Sequence, residues 1–174
     1  LRSVAKALEH VAPQLDIVVS SDPDVIARAG RVVFPGVGAM PDCMRELDSR
    51  GLRQAVVEAA RSKPFLGICL GMQALFESSE EGNCAGLGIF PGRVLRFPAE
   101  AMVDEKGQKL KVPHIGWNEA HQSANHPMWS GIPEAARFYF VHSYYVEAGD
   151  PDLVAGFTLY PFAFSQQHRQ RQCQ

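Results

Sequence analysis

Lys63-Pro64-Phe65-Leu66-Gly67-Ile68-Cys69-Leu70-Gly71-Met72-Gln73 is the stretch that decides how the rest of the chain is read. The apolar run from Phe65 to Ile68 has the length and composition of a buried strand. Gly71 and the residues after it, Met72-Gln73-Ala74-Leu75-Phe76-Glu77, read as the opening of a helix that ends near Ser79. One thiol stands between the two, with a glycine two positions away on each side. A tight turn that pushes one side chain outward crowds its neighbours, and residues without a Cβ fit there.

A strand–turn–helix elbow of this kind is where hydrolases present a nucleophile, here a cysteine in the place of a serine. A helix N-terminus offers unpaired N–H groups and partial positive charge, which favour thiolate over thiol. The same groups would stabilise an oxyanion formed when the sulfur attacks a carbonyl. Two sources of donors are visible: the N–H of Leu70, and the turn Pro35-Gly36-Val37-Gly38, which follows an apolar run at 31–34. In an open parallel sheet, loops at the carboxyl ends of adjacent strands share one crevice. The competing reading of Cys69 is a small buried hydrophobe at a strand end.

Outward from this stretch the chain alternates. Apolar residues at Leu1, Val4, Ala5 and Leu8 have helical spacing, and residues 15–19 read as a strand. Ser21-Asp22-Pro23-Asp24 is a helix start, with a capping side chain and proline in the first turn. That helix stops at Gly30. Residues 41–61 read as two helical pieces broken at Gly51. After Glu80 the character changes to β: a turn-rich link at 86–92, a strand at 93–97, an irregular aromatic segment at 111–118, one strand over 137–146 and another at 155–158. Residues 166–174 are polar without periodicity and read as disorder or as a lost ending. The expected architecture is α/β: a mainly parallel sheet flanked by helices, with an added β-rich edge. All 174 residues are expected to form a single domain.

Composition excludes several classes. Hydrophobic residues make up 46% and charged residues 21%, as in ordinary globular domains. A net charge of −2 gives no sign of nucleic acid or an anionic membrane as partner. No apolar stretch approaches the ~20 residues that span a bilayer. The first residues lack the shape of a signal peptide. Cys43, Cys69, Cys84 and Cys173 form no C-x-x-C pair, so reduced thiols in a cytoplasm are expected. His114, His121 and His126 lack ligand-like spacing, so no metal is expected, and Gly86-x-Gly88 lacks the surroundings of a nucleotide loop. For His142 a hydrogen-bonded structural role competes with that of base for Cys69. For Trp117, core and interface both stand.

Gly67-Ile68-Cys69-Leu70-Gly71-Met72-Gln73, preceded by Pro35-Gly36-Val37-Gly38, resembles the class I (triad-type) glutamine amidotransferases. Gly86-Leu87-Gly88 with Pro91-Gly92, Pro113-His114-Ile115-Gly116-Trp117-Asn118 and Tyr139-Phe140-Val141-His142-Ser143-Tyr144 narrow the resemblance to the glutaminase subunits of imidazole glycerol phosphate synthase. It covers residues 1–162. It implies a flavodoxin-like α/β fold, no cofactor, and glutamine hydrolysis through a thioester on Cys69. Gly36, Val37 and Gly38 would form the oxyanion strand with the Leu70 N–H. Gln73 and the backbone of Ser143 and Tyr144 would hold L-glutamine. Trp117, Asn118 and Tyr139 would face a (β/α)8-barrel cyclase subunit, in a heterodimer that uses the ammonia for histidine biosynthesis.

Two features depart from the family pattern. Its first strand is missing before Leu1, and its closing His-Pro-Glu occurs nowhere in these residues; His126-Pro127 is followed by Met128. The base and its orienting acid therefore stay unassigned. Two other readings stand beside the first: an inactive amidotransferase fragment that still binds its partner, and another class I amidotransferase or elbow-cysteine α/β protein. The 174 residues as they stand are expected to turn glutamine over poorly or not at all. A glutaminase assay with saturating cyclase checks this, and normal turnover would refute it.

Overall fold

The two apolar runs that flank the glycine motifs pair with each other. β1 (Val32–Gly36) and β2 (Phe65–Cys69) form a two-stranded parallel sheet in register from Val32↔Phe65 to Gly36↔Cys69. The computed structural model describes residues 1–104 and 106–168, and these fall into two compact units that divide between Leu75 and Phe76.

In the first unit, α1 (Arg2–Val11) and α2 (Pro23–Arg28) precede β1, and α3 (Met40–Ser49) and α4 (Arg53–Ser62) lie between β1 and β2. The α2 start follows its sequence signal: the Asp22 carboxylate accepts from the Asp24 N–H at 2.9 Å, and Pro23 takes the first turn. Its far end is closed from a distance. The Lys63 ammonium donates to the carbonyls of Ala27 at 2.8 Å, Ala29 at 2.9 Å and Ile26 at 3.3 Å. A cation there satisfies carbonyls that lack helical partners and meets the negative end of the dipole. Met40, Met44 and Leu47 bury one face of α3, and Val56, Ala59 and Ala60 bury one face of α4. The helices part at Gly51, as expected.

Residues 15–19 do not form the expected strand. They have no ladder partner among the described residues, and Val18 and Val19 are exposed. A strand exists only through its neighbour's hydrogen bonds, and an apolar run alone does not supply one.

The second unit begins earlier than the elbow helix was expected to end. α5 covers only Leu70–Gln73, and Phe76–Ser79 is strand β3. Phe76 is fully buried and pairs with Phe90, so tertiary packing overrides the helical reading. β4 (Cys84–Ala85), β5 (Phe90–Arg96), β6 (His114–Gln122), β7 (Ala136–His142), β8 (Tyr144–Ala148), β9 (Val154–Leu159) and β10 (Ala163–His168) complete an eight-stranded sheet in the order β4-β3-β5-β8-β10-β9-β6-β7. Only β3–β5 is parallel there; the remaining pairs are antiparallel. The architecture is α/β with mixed sheets, and the β-rich part is a full sheet rather than an edge.

Three further expectations change. Residues 111–118 are not wholly irregular, because β6 starts at His114 and pairs with β7 through Ala120↔Ala136. The single strand over 137–146 is two strands with a bend at Ser143. Residues 166–168 continue β10; the rest of the expected disordered tail, with Cys173, lies outside the described residues. Among the described residues no helix is long and apolar enough to cross a membrane.

The core of this unit is aromatic. Phe97, Met102 and Phe164 are buried, with Phe140, Tyr145, Tyr160 and Phe162 packed against them. The Phe97 ring lies 5.0 Å from Tyr145 and 5.3 Å from Phe164 between centroids. Phe97→Ala is expected to cost about 3–5 kcal/mol, read as a lower urea midpoint of the far-UV circular dichroism transition.

Candidate active site

β2 hands the chain to α5 through Cys69, whose backbone sits at φ 54°, ψ −119°. A positive φ is costly for a residue with a Cβ, of order 1–3 kcal/mol, and is found where function needs one side chain aimed outward. The thiol is exposed. The flanking glycines are required by contact. A Cβ on Gly67 would lie 2.7 Å from Met72 Cα, and one on Gly71 would run into the Phe34 carbonyl. The single turn of α5 therefore packs directly on the backbone at the end of β1.

The register sets Gly36 beside Cys69, and neighbouring strands lie about 4.8 Å apart. A Cβ on Gly36 would come within 2.7 Å of the Gly71 nitrogen and 2.9 Å of Leu70 Cβ. Val37 follows with 94% of its surface exposed, and Gly38 adopts φ +94°. Gly36, where the 36–38 turn begins, and Leu70, next in the chain, thus neighbour the residue that carries the exposed thiol. First-turn N–H groups of a helix lack intrahelical acceptors. With α5 only one turn long, these local donors matter more than a macrodipole. Gln73 closes the turn, half-buried.

The other candidate residues lie in the second unit. Trp117 and Tyr139 are register partners on β6 and β7, with rings T-shaped at 5.6 Å. Ile115 pairs with Val141 on the same face. All four are more than half exposed. Asn118, expected beside Trp117, points to the opposite face and donates to the Leu159 carbonyl at 2.9 Å. Ile115 and Val141 were not singled out from the sequence, yet they share this exposed face. Their signal was the alternation that pairs Ile115 with Trp117 and Tyr139 with Val141 on one side.

The inward face of the same strands carries His114 and His142. His142 Nδ1 meets the Tyr144 carbonyl at 2.9 Å, and its Nε2 meets His114 Nδ1 at 3.2 Å. Both nitrogens of His142 are thereby engaged, which is the structural role. Burial is the first cause that lowers the pKa of each ring. His114 falls to about 4, helped by His142; for His142 the bond to the Tyr144 carbonyl works the other way. Ser143 forms the bend after β7, and its carbonyl accepts from the Phe97 N–H at 3.0 Å.

Comparison with known proteins adds to this geometry. The family model described as glutamine amidotransferase class-I matches residues 1–169. Among curated proteins, the chain is 68% identical over 165 residues to the imidazole glycerol phosphate synthase subunit HisH of Thiobacillus denitrificans, covering 95% of this chain and 72% of that protein. The subunit of the same description from Nitrosospira multiformis is 67% identical, covering 95% of this chain and 77% of its own length. That of Aromatoleum aromaticum is 64% identical, covering 95% and 78%.

The buried histidines give a pH dependence with a definite sign. His114 binds its proton less readily folded, at about 4, than at its ordinary 6.5. Its contribution is complete above about pH 6.5, and stability declines as pH falls from there towards 4, by up to about 3 kcal/mol. Urea midpoints measured at pH 7 and pH 5 should differ accordingly. His114→Phe should flatten that difference.

Proposed function

The chain belongs to the class-I glutamine amidotransferase family, and from that membership we propose that it is the glutamine-hydrolysing subunit of an imidazole glycerol phosphate synthase, acting through Cys69. Glutamine is the substrate, and the ammonia serves histidine biosynthesis. Cys69 Sγ adds to the side-chain amide carbon of glutamine. The oxyanion is received by the Leu70 N–H and by the backbone of Gly36, Val37 and Gly38. Collapse expels ammonia and leaves a glutamyl thioester, which water hydrolyses to glutamate and the free thiol. The observation that carries this reading is the Gly36↔Cys69 register, with the thiol exposed on a strained backbone. Gln73 and the backbone of Ser143 and Tyr144 are read as glutamine contacts. The base is not assigned to any residue. The match over residues 1–169 spans both compact units, which supports treating them as parts of one amidotransferase domain.

The partner is a cyclase subunit, as the relatives' descriptions as synthase subunits support. Our reading makes it a (β/α)8 barrel that takes up the ammonia to form imidazole glycerol phosphate and aminoimidazole carboxamide ribotide, in the cytoplasm, with neither nucleic acid nor membrane involved. Ile115, Trp117, Tyr139 and Val141 supply the docking face: a contiguous exposed apolar patch with two aromatic residues is the composition of an interface core. Asn118 supports this face from behind rather than lying in it.

A glutamine-mimicking diazoketone tests the nucleophile. One adduct per chain is expected, on Cys69 by peptide mass spectrometry, slowed by glutamine and absent in Cys69→Ser. Labelling that ignores glutamine, or that persists in Cys69→Ser, would overturn the assignment.

A further inference from the structure

Within the second unit, β6 changes the way it is joined to its neighbour β9. Their backbone pairing covers His121↔Phe157 and Gln122↔Gly156, and no further β6–β9 pair is found among the described residues. Just past β6, the Ser123 N–H still donates to the Ala155 carbonyl at 3.0 Å. In the other direction the same antiparallel register would set Glu119 against Leu159, where the two would exchange N–H and carbonyl directly. Side chains stand there instead. The Glu119 N–H donates to Asn118 Oδ1 at 2.8 Å, and the Glu119 carbonyl accepts from the Thr158 hydroxyl at 2.6 Å. The Leu159 carbonyl accepts from Asn118 Nδ2 at 2.9 Å. Each strand lends one side chain to the other's carbonyl.

The substitution continues towards the start of β6. His114 Nε2 meets Asn118 Nδ2 at 3.5 Å, and the His114 ring stacks on Tyr160 with centroids 3.7 Å apart. The Tyr160 hydroxyl reaches back to the Lys111 carbonyl at 3.0 Å. A hydroxyl, an amide, an imidazole and a phenol therefore close the seam from residue 119 to residue 111. Thr158 is fully buried, so its hydroxyl has no water to turn to in place of the Glu119 carbonyl. Losing that hydroxyl would leave the carbonyl without its donor, which is costly in a buried place.

What the seam holds is the ribbon of β6 and β7. His114 and Asn118 face the seam, while Ile115 and Trp117 stand on the other side of β6 and are exposed, with Val141 and Tyr139 beside them. β7 is the last strand of the sheet and pairs with β6 alone. It has no second strand to lean on, so the tilt of the exposed face depends on how β6 is fastened to β9. We propose that Thr158 and Asn118 are positioning residues for partner docking: their reciprocal bonds clasp the ribbon to the end of β9 and fix the angle at which Ile115, Trp117, Tyr139 and Val141 meet the cyclase subunit. This rests on the reading of that face as the docking surface. A face already held in its bound geometry loses less freedom on association.

The test uses the full chain and measures its Kd for the purified cyclase subunit of the same synthase by titration calorimetry. Thr158→Val keeps the shape of the side chain and removes the hydroxyl. It should raise Kd about fivefold, the worth of one neutral hydrogen bond. Thr158→Ser restores the hydroxyl and should return Kd to within about twofold of the parent. Val94→Ala is the control for lost stability: it opens a cavity on β5, which pairs with neither β6 nor β9. It should lower the urea midpoint and leave Kd within about twofold. An unchanged Kd in Thr158→Val, or an equal rise in Thr158→Ser or in Val94→Ala, would overturn the proposal. If the parent fails to bind the cyclase subunit, or Trp117→Ala binds it as tightly as the parent, the docking reading falls and takes this inference with it. A second readout needs no variant: the Thr158 hydroxyl proton of the parent should give a slowly exchanging resonance with cross-peaks to the Glu119 and Ala120 backbone. Exchange at the rate of an exposed threonine would also overturn the clasp.

Discussion

The arrangement around the sulfur depends on one close approach between two stretches of backbone. The turn at Leu70–Gly71 lies against the end of β1 so tightly that a methyl group on Gly71 would collide with the Phe34 carbonyl and one on Gly36 with the Gly71 nitrogen. That contact holds β1 and the elbow in one register, and the register sets Gly36 beside Cys69. It also explains why the strained φ of Cys69 persists. The surrounding backbone leaves the turn no other path, so the local cost is met by packing elsewhere in the unit.

The second unit solves a different problem. Its core is aromatic, yet it contains two histidines and an asparagine amide. Buried polar groups are tolerated when each has a partner, and here the partners are arranged in a line between backbone groups. Burial keeps the rings neutral, and their neutrality lets each be a donor on one side and an acceptor on the other. A charged ring would place two N–H groups face to face.

How much was legible in the sequence follows from how local each signal was. The elbow was legible because its glycines answer a steric demand within a few residues, and so was the break between α3 and α4 at Gly51. Residues 15–19 were not, because strand formation depends on a neighbour that apolar composition cannot specify. The helix expected through Ser79 failed for a related reason: Phe76 fits a helical face and a buried strand equally well, and its pairing with Phe90 decides. Pro113, Gly116 and Asn118 made 111–118 look irregular, although the alternation over His114–Gln122 was present throughout. The bend at Ser143 left no mark in a run that is β-rich on both sides. Of the exposed apolar face, Trp117 and Tyr139 were singled out by resemblance, while Asn118, named with them, lies on the other side of β6 because adjacent strand residues point apart.

β6 consequently carries two tasks on alternate residues. Ile115 and Trp117 look outward, and His114 and Asn118 look inward. For protein engineering this separates the two faces: the exposed Ile115 and Trp117 can be exchanged without touching the hydrogen bonds of His114 and Asn118 behind them. The same parity makes the strand unforgiving of insertions. One added residue near Gly116 would exchange the roles of everything beyond it, driving the indole into the core and the amide into water.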